Sequence, residues 1–331
     1  QDILDQLQPR IPAATLATLQ AWHDAQVRIL TPLWARRQTD GHLVEGHGDL
    51  HLGNALLHDG VVQAFDGIDF QPAFRWIDAL QDAAFLVMDL MAHDREDLAM
   101  VTLNAYLDAS GDHAGLPLLR HALVYRALVR ALVARLRPQP APEDPDYLGL
   151  ALRLIGPGEA RLLITHGVSG SGKSFVSGQL LAHAPALRLR SDVIRKQLWP
   201  ADAPDLYSPA ATAATYARLR ELADLALQGG WRVIVDATCL TRAQRERFRS
   251  LAAERQVPFT ILHCEAPPAV LQARVAQRQA EGRDVSDADP TVLAAQLRQG
   301  ATLEADEAAA VLAVTAPLDV AALAARWLQA R

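Results

Sequence analysis

The sequence predicts an α/β protein in two parts: a C-terminal parallel sheet held between helices, preceded by a mostly helical part with one β-hairpin. Three observations carry that expectation. Beyond Arg161, short β-rich runs alternate with helix-like stretches, the rhythm of a parallel sheet covered on both faces. Before Arg137, apolar residues recur mainly at helical spacing. Between the two, "RPQPAPEDPDY", Arg137 to Tyr147, gathers prolines and acids that resist regular structure. The expected division is therefore residues 1–137, a Pro-rich linker over 138–160, and residues 161–331. A chain of 331 residues suffices for two ordinary cores.

From Asp2 to Arg37 the sequence reads as helix, with Leu16, Leu19, Trp22, Ile29 and Leu33 as its apolar positions. In "NALLHDGVVQAFDGIDF" two short apolar runs flank His58, Asp59 and Gly60, a turn signal that predicts the hairpin. Helices are expected next around Ile77 to His93 and Leu116 to Leu136. Trp22, Trp34, Trp76 and Phe85 read as packing residues rather than a ligand cage.

In the second part, "RLLITHG", "ALRLRS", "WRVIVDAT", "PFTILHC" and "AVLAVTA" are the expected strands. The stretch "GVSGSGKS", Gly167 to Ser174, satisfies G-x-x-x-x-G-K-[ST], with "LLIT" before it as strand and "SFVSGQLLAH" after it as helix. Its glycines let successive backbone N–H groups face a phosphate chain, and the helix N-terminus adds partial positive charge. A connecting loop of like composition would lack the flanking strand and helix. The nucleotide-binding candidates are Gly167, Ser169, Gly170, Ser171, Gly172, Lys173, Ser174 and Phe175, with ATP and Mg²⁺ as the expected cofactors. Lys173 suits the β- and γ-phosphates, and the Ser174 hydroxyl suits Mg²⁺.

Reaction type needs further residues. "RSDVIRKQL" puts Asp192 and Arg195 three apart at the start of a helix, where an open parallel sheet forms its ligand crevice. Asp192 there can take an acceptor hydroxyl's proton or orient it, while Arg195 holds substrate or phosphate. The other option is that Asp192 caps its helix. "VIVDAT" ends a strand on Asp236, a position suited to Mg²⁺, with Thr238 as a helper; an aspartate bonded only to backbone is the alternative. Arg274, Arg278 and Arg283 lie where a closing segment would neutralise phosphoryl charge, although an ordinary charged helix face carries the same pattern.

Residues 161–331 resemble the P-loop small-molecule kinases, a group including gluconate and shikimate kinases, polynucleotide 5′-kinases and zeta-toxin-like kinases. "GVSGSGKS", "SDVIR", "VIVDAT" and the arginine-bearing segment carry the resemblance. It implies an AAA-type P-loop NTPase domain that moves the ATP γ-phosphate to a hydroxyl of a small molecule: a sugar, an aminoglycoside or a nucleoside-like compound. A polynucleotide 5′ end or a nucleotide sugar is the alternative acceptor. An ATP-binding regulatory module with little net transfer is the reading from another class.

The first part contains "HGDLHLGN", His47 to Asn54, which fits the catalytic-loop spacing H-x-D-L-x-x-x-N with Gly48 in place of the arginine of protein kinases. With "FDGIDF" and "RWIDALQDAAFLVMDL" after it, the stretch is similar to the aminoglycoside and choline phosphotransferases. That similarity implies a protein-kinase-like C-lobe with Asp49 as catalytic carboxylate, Asn54 and Asp66 at a metal, Asp69 as a second metal candidate, and Asp78 with Asp82 as an acidic pair. The phosphate-covering loop and strand lysine of such a site belong N-terminal to the catalytic loop, and neither is visible here. A missing segment of a longer protein, favoured because the sequence begins with Gln1, or a separate chain would supply that N-lobe; a degenerate scaffold is the third option. The whole order resembles a bacterial family of two-kinase fusions, an aminoglycoside-phosphotransferase-like lobe joined to a predicted ATP-binding protein.

Composition narrows the partners. A net charge of −6 gives no basic footprint for extended nucleic acid, and a small-molecule hydroxyl acceptor is the better expectation. No apolar run approaches the roughly 18 to 20 residues of a membrane span, and the start lacks signal-peptide features. Only Cys239 and Cys264 are present, both read as buried small residues, so a reducing cytoplasm is expected. The histidines show neither HExxH nor Cys/His zinc spacing.

Overall fold

The structure, a computed structural model, describes residues 2–139, 143–199, 206–281, 289–300 and 302–330. Two compact units divide the chain: residues 1–106 with 112–158, and residues 107–111 with 159–331.

The first unit begins with two helices, α1 (Asp2–Leu7) and α2 (Ala13–Thr39), where one continuous helix is expected. Pro9 and Pro12 cause the break, since proline removes an N–H donor and disfavours helix at the residue before it. The apolar face also differs from expectation: Ile29 is 68% exposed and Leu30 is buried in its stead. Next come β1 (Leu43–Glu45), the hairpin of β2 (Ala55–His58) and β3 (Val61–Ala64), and β4 (Trp76–Asp78), which pairs antiparallel with β1. The hairpin turn uses Asp59 at φ 50° and Gly60 at φ 76°, the two left-handed residues a two-residue turn requires.

Asp78 caps α3 (Ala79–Ala92) by accepting from the Leu80 N–H at 2.9 Å. Then follow α4 (Glu96–Ser110), whose residues from Leu107 on are assigned to the second unit, α5 (Leu116–Leu136) and α6 (Tyr147–Ile155). The presence of α6 corrects the linker expected over 138–160. Prolines end at Pro145, Asp146 caps the helix, and Tyr147, Leu150 and Ala151 turn a buried face inward. Tyr147 is tied down further by donating to Asp89 at 2.7 Å.

The second unit alternates β5 (Arg161–His166), α7 (Lys173–Leu180), β6 (Leu187–Arg190), α8 (Ser191–Leu198), α9 (Pro209–Gln228), β7 (Arg232–Asp236), α10 (Arg242–Arg255) and β8 (Phe259–His263). The helices α11 (Pro268–Glu281) and α12 (Pro290–Gln299), strand β9 (Val311–Ala313) and helix α13 (Val320–Gln329) complete it. All five strands run parallel in the order β6-β7-β5-β8-β9. Central strands buried on both faces are continuous apolar runs, and Leu163, Ile234 and Leu262 join Trp327 of α13 in one core. Chain order reverses around β5, which has β7 on one side and β8 on the other, so a ligand crevice opens beyond its C-terminal end. Among the described residues no helix is long and apolar enough to cross a membrane.

Candidate functional site

Beyond His166 the chain turns through Gly167 at φ 138°, where a Cβ would lie 2.3 Å from the Cys264 carbonyl oxygen, so only glycine fits. Gly172, at φ 96°, is the N-cap of α7 and starts the helix from a left-handed conformation that other residues resist. Lys173 occupies the first helical position and folds back across the loop, its Nζ donating to the Val168 carbonyl at 2.8 Å. Burial pushes its pKa down, with the Asp236 carboxylate opposing that shift. Gln296 of α12 accepts from the Ser169 N–H at 2.7 Å, and Arg274 of α11 donates to the Gly170 carbonyl at 3.1 Å, so two helices bind the loop backbone.

Asp236 ends β7 and is buried beside the first turn of α7. Its two carboxylate oxygens accept from the Ser174 and Ser177 hydroxyls, each at 3.2 Å. Both Ser174 and Asp236 are hard oxygen donors of the kind a divalent magnesium ion takes. Thr238 lies 3.3 Å from the Tyr216 hydroxyl, which in turn accepts from the Cys239 N–H at 3.0 Å, and burial raises that phenol well above its ordinary range.

Asp192 is not the cap of α8. That position is Arg190, which makes no side-chain capping bond. The Asp192 carboxylate instead accepts from Arg195 at 3.0 Å, one turn along, and the buried Arg195 guanidinium lies 4.5 Å over the Tyr207 ring.

These groups meet around a cavity of about 1050 Å³, walled by residues 169–176 and by Asp192, Arg195, Asp236, Arg274 and Arg278. Phe175 lines it while 64% exposed, whereas Gly167 does not reach the wall and serves the turn. Arg283 lies outside the described residues. A second wall was not foreseen: Pro267 and Val270 after β8, and Val314, Ala316 and Leu318 after β9. Its residues are ordinary small apolar side chains, and only the parallel order of β5, β8 and β9 indicates that they share a strand-end crevice.

In the first unit, the Asn54 amide donates to the Asp49 carbonyl at 3.0 Å, to its carboxylate at 3.2 Å and to the Asp66 carbonyl at 3.4 Å. His51, 3.5 Å from the Asp49 carboxylate, lowers its pKa, with Arg130 and Arg126 adding to the effect. Asp66 sits in the left-handed region at φ 59° with its side chain exposed, and Asp69 is exposed beside Arg75. The expected acidic pair has backbone and ion-pair partners. Asp82 accepts from the His47 and Gly48 N–H groups at 2.7 and 3.0 Å, and Asp78 pairs with the buried Arg37 at 2.6 Å. Arg126, donating to the Gly48 carbonyl at 3.2 Å, escaped sequence reading because it comes from α5, far along the chain. Among the described residues no group of three or more His, Cys, Asp or Glu side chains is gathered for a metal ion.

The turn from β5 through a glycine loop onto the N-terminus of α7 defines the second unit as a P-loop nucleotide-binding domain.

Comparison with known proteins agrees on that region. Residues 162–303 match a family described as an AAA domain. Over 278 residues the chain is 31% identical to the uncharacterized protein Rv2004c of Mycobacterium tuberculosis and, equally, to the uncharacterized protein Mb2027c of Mycobacterium bovis. Those alignments take in 80% of this chain and 56% of each relative, so the chain spans about half the length of the curated relatives it matches. Among solved structures, a putative kinase from Chloroflexus aurantiacus superposes with a TM-score of 0.43 at 21% identity, covering 52% of this chain and 99% of that one. A gluconokinase from Sinorhizobium meliloti gives a TM-score of 0.38 at 19% identity, over 52% of this chain and 93% of that one.

Proposed function

We propose that the second unit is a kinase, transferring the γ-phosphoryl group of ATP to a hydroxyl of a small molecule. The observation that carries this reading is the shared cavity: the phosphate loop, the Ser174–Asp236 pair and the Asp192–Arg195 pair all face it. Loop N–H groups and Lys173 would grip the phosphates. Ser174 and Asp236 would hold Mg²⁺, which when bound neutralises phosphate charge. Asp192 accepts the proton of the acceptor hydroxyl as its oxygen bonds to the γ-phosphorus. The bond from that phosphorus to the β–γ bridging oxygen breaks, and ADP leaves with the electron pair. Arg195, Arg278 and Arg283 balance the charge spread over the transferred group.

A sugar, aminoglycoside or nucleoside-like hydroxyl is the acceptor class favoured, ahead of a polynucleotide 5′ end or nucleotide sugar, and the cytoplasm is the proposed compartment. ADP release with Mg²⁺ and ATP against a panel of these acceptors, with Asp192→Ala as control, tests the reading. Acceptor-stimulated turnover that disappears in the variant supports it. In an ATP-binding regulatory module Asp192→Ala would leave function intact.

For the first unit we infer a phosphotransferase-like lobe, with Asp49 as carboxylate and Asn54 and Asp66 toward a metal. Its hairpin exposes Leu57 and Val62, which are paired across the two strands, at 72% and 71%, an apolar face suited to an N-lobe from a further segment or a separate chain. Adding in trans the part of a relative that lies outside the matched 56% should protect this hairpin from amide exchange, and unchanged exchange would count against the lobe.

A further inference from the structure

The last paired residues of β5 and β8 are His166 and His263, directly opposite one another in the sheet. Their rings are bonded, Nδ1 to Nδ1 at 2.7 Å, and His263 Nε2 lies 2.6 Å from Glu265 Oε1. His166 is fully buried, whereas Glu265 is mostly exposed and lines the cavity of the phosphate loop. A hydrogen-bonded chain therefore runs from the cavity wall to the residue immediately before Gly167.

The chain admits one neutral arrangement of protons. A carboxylate only accepts, so His263 donates through Nε2–H and its Nδ1 keeps a lone pair. That lone pair accepts Nδ1–H from His166, leaving His166 Nε2 without a proton. His166 Nε2 is buried and has no hydrogen-bond partner, the environment in which a bare lone pair costs less than an unmet N–H. Desolvation comes first, with the neighbouring His263, Arg245 and Lys173 acting in the same direction and Glu307 opposing, and together they push the His166 pKa down to about 4, so the ring stays neutral as this arrangement needs.

What the chain holds is the start of the loop. Beyond His166 the strands part: the Cys264 N–H still donates to the His166 carbonyl at 2.9 Å, while the Gly167 N–H turns to Thr238 at 3.1 Å. At that point Gly167 approaches the Cys264 carbonyl so closely that a Cβ would stand 2.3 Å from it. The backbone of Gly167 is therefore packed directly against the end of β8. The ring-to-ring bond spans the two strands at this position.

We propose that His263 is a positioning residue for the phosphate loop, acting through His166 and braced by Glu265, and that it sets the affinity of the loop for a nucleotide. This rests on the nucleotide reading of the second unit and assigns a further residue to it. The test is calorimetric titration of the folded full chain with MgATP, for the wild type, His263→Leu and His263→Asn. Leu removes the acceptor facing His166, and Asn restores an oxygen at nearly the Nδ1 position. The expected result is affinity about tenfold weaker in the Leu variant, because a loop whose start is no longer fixed must be ordered when the nucleotide binds, and recovery to within about twofold in the Asn variant. Nitrogen-15 NMR of the wild-type imidazoles supplies a readout that needs no variant, with His166 expected as its Nδ1–H tautomer. Wild-type affinity in a folded Leu variant, failure of Asn to rescue, or an Nε2–H tautomer at His166 overturns the proposal. A folded wild type that takes up no MgATP overturns the nucleotide reading itself, and the positioning role falls with it.

Discussion

The Ser174 hydroxyl donates to one Asp236 carboxylate oxygen at 3.2 Å, tying the first turn of the helix after the phosphate loop to the end of the neighbouring strand. Ser177, one turn on, bonds the other oxygen at 3.2 Å, so the carboxylate is held in place by two hydroxyls from one helix. Asp236→Asn keeps the shape and removes the charge. If Asp236 holds Mg²⁺ in the proposed kinase, kcat of this variant should fall by about 100-fold or more with a raised Mg²⁺ requirement, while stability changes by about 1 kcal/mol or less. Steady-state kinetics across a magnesium series, beside urea unfolding, checks both halves.

Asp192 stands in the same cavity, with one carboxylate oxygen held by Arg195 at 3.0 Å. If Asp192 accepts the hydroxyl proton as proposed, its replacement by Asn should lower kcat by about 100- to 10,000-fold. Affinity for MgATP should stay within about twofold, because no phosphate contact is lost. Equal losses in both quantities would make Asp192 a binding residue instead.

Arg245 and Glu307 form a buried pair in the second unit, bonded twice at 2.7 Å, with Arg245 also donating to the Leu240 carbonyl at 2.8 Å. Glu307→Ala leaves that guanidinium uncompensated and should cost about 3 to 5 kcal/mol by urea unfolding. Replacing both partners, Arg245→Met with Glu307→Leu, should cost less than the single change.

Burial depresses His166 in the second unit and His121 in the first, each to about 4. The unfolded chain takes up its protons near the ordinary value of about 6.5, so between that pH and about 4 the unfolded state binds more protons than the folded one. Their contribution to stability is complete above pH 6.5 and is lost as pH falls through that window. At pH 5 the loss should be about 2 kcal/mol for each histidine relative to pH 7, and His121→Phe should flatten the profile of the first unit alone. Urea midpoints at the two pH values decide it.

The second unit was legible in the sequence because its signals are local. Five strand runs and one glycine loop each announce themselves within ten residues or fewer. In the first unit the three-residue strands β1 and β4 are too short to show alternation, and their pairing joins residues more than thirty apart. Helix α4 was missed although Ala99, Met100, Leu103 and Leu107 repeat at helical spacing, and α6 was hidden by the prolines before it. Candidate residues on the phosphate loop come from one stretch of chain, whereas the apolar wall at Val314 and Leu318 and the buried arginines Arg37, Arg126 and Arg245 depend on tertiary contacts. No periodicity reports those.

Lys173 gives the most direct test of a nucleotide site, since its ammonium crosses the loop it would share with the phosphates. Calorimetric titration of MgATP into the wild type and Lys173→Ala should show one site per chain with a micromolar-range Kd, weakened by about 100-fold or more in the variant. Equal affinity in both proteins, or no uptake by a folded wild type, would contradict the assignment of this loop to nucleotide binding.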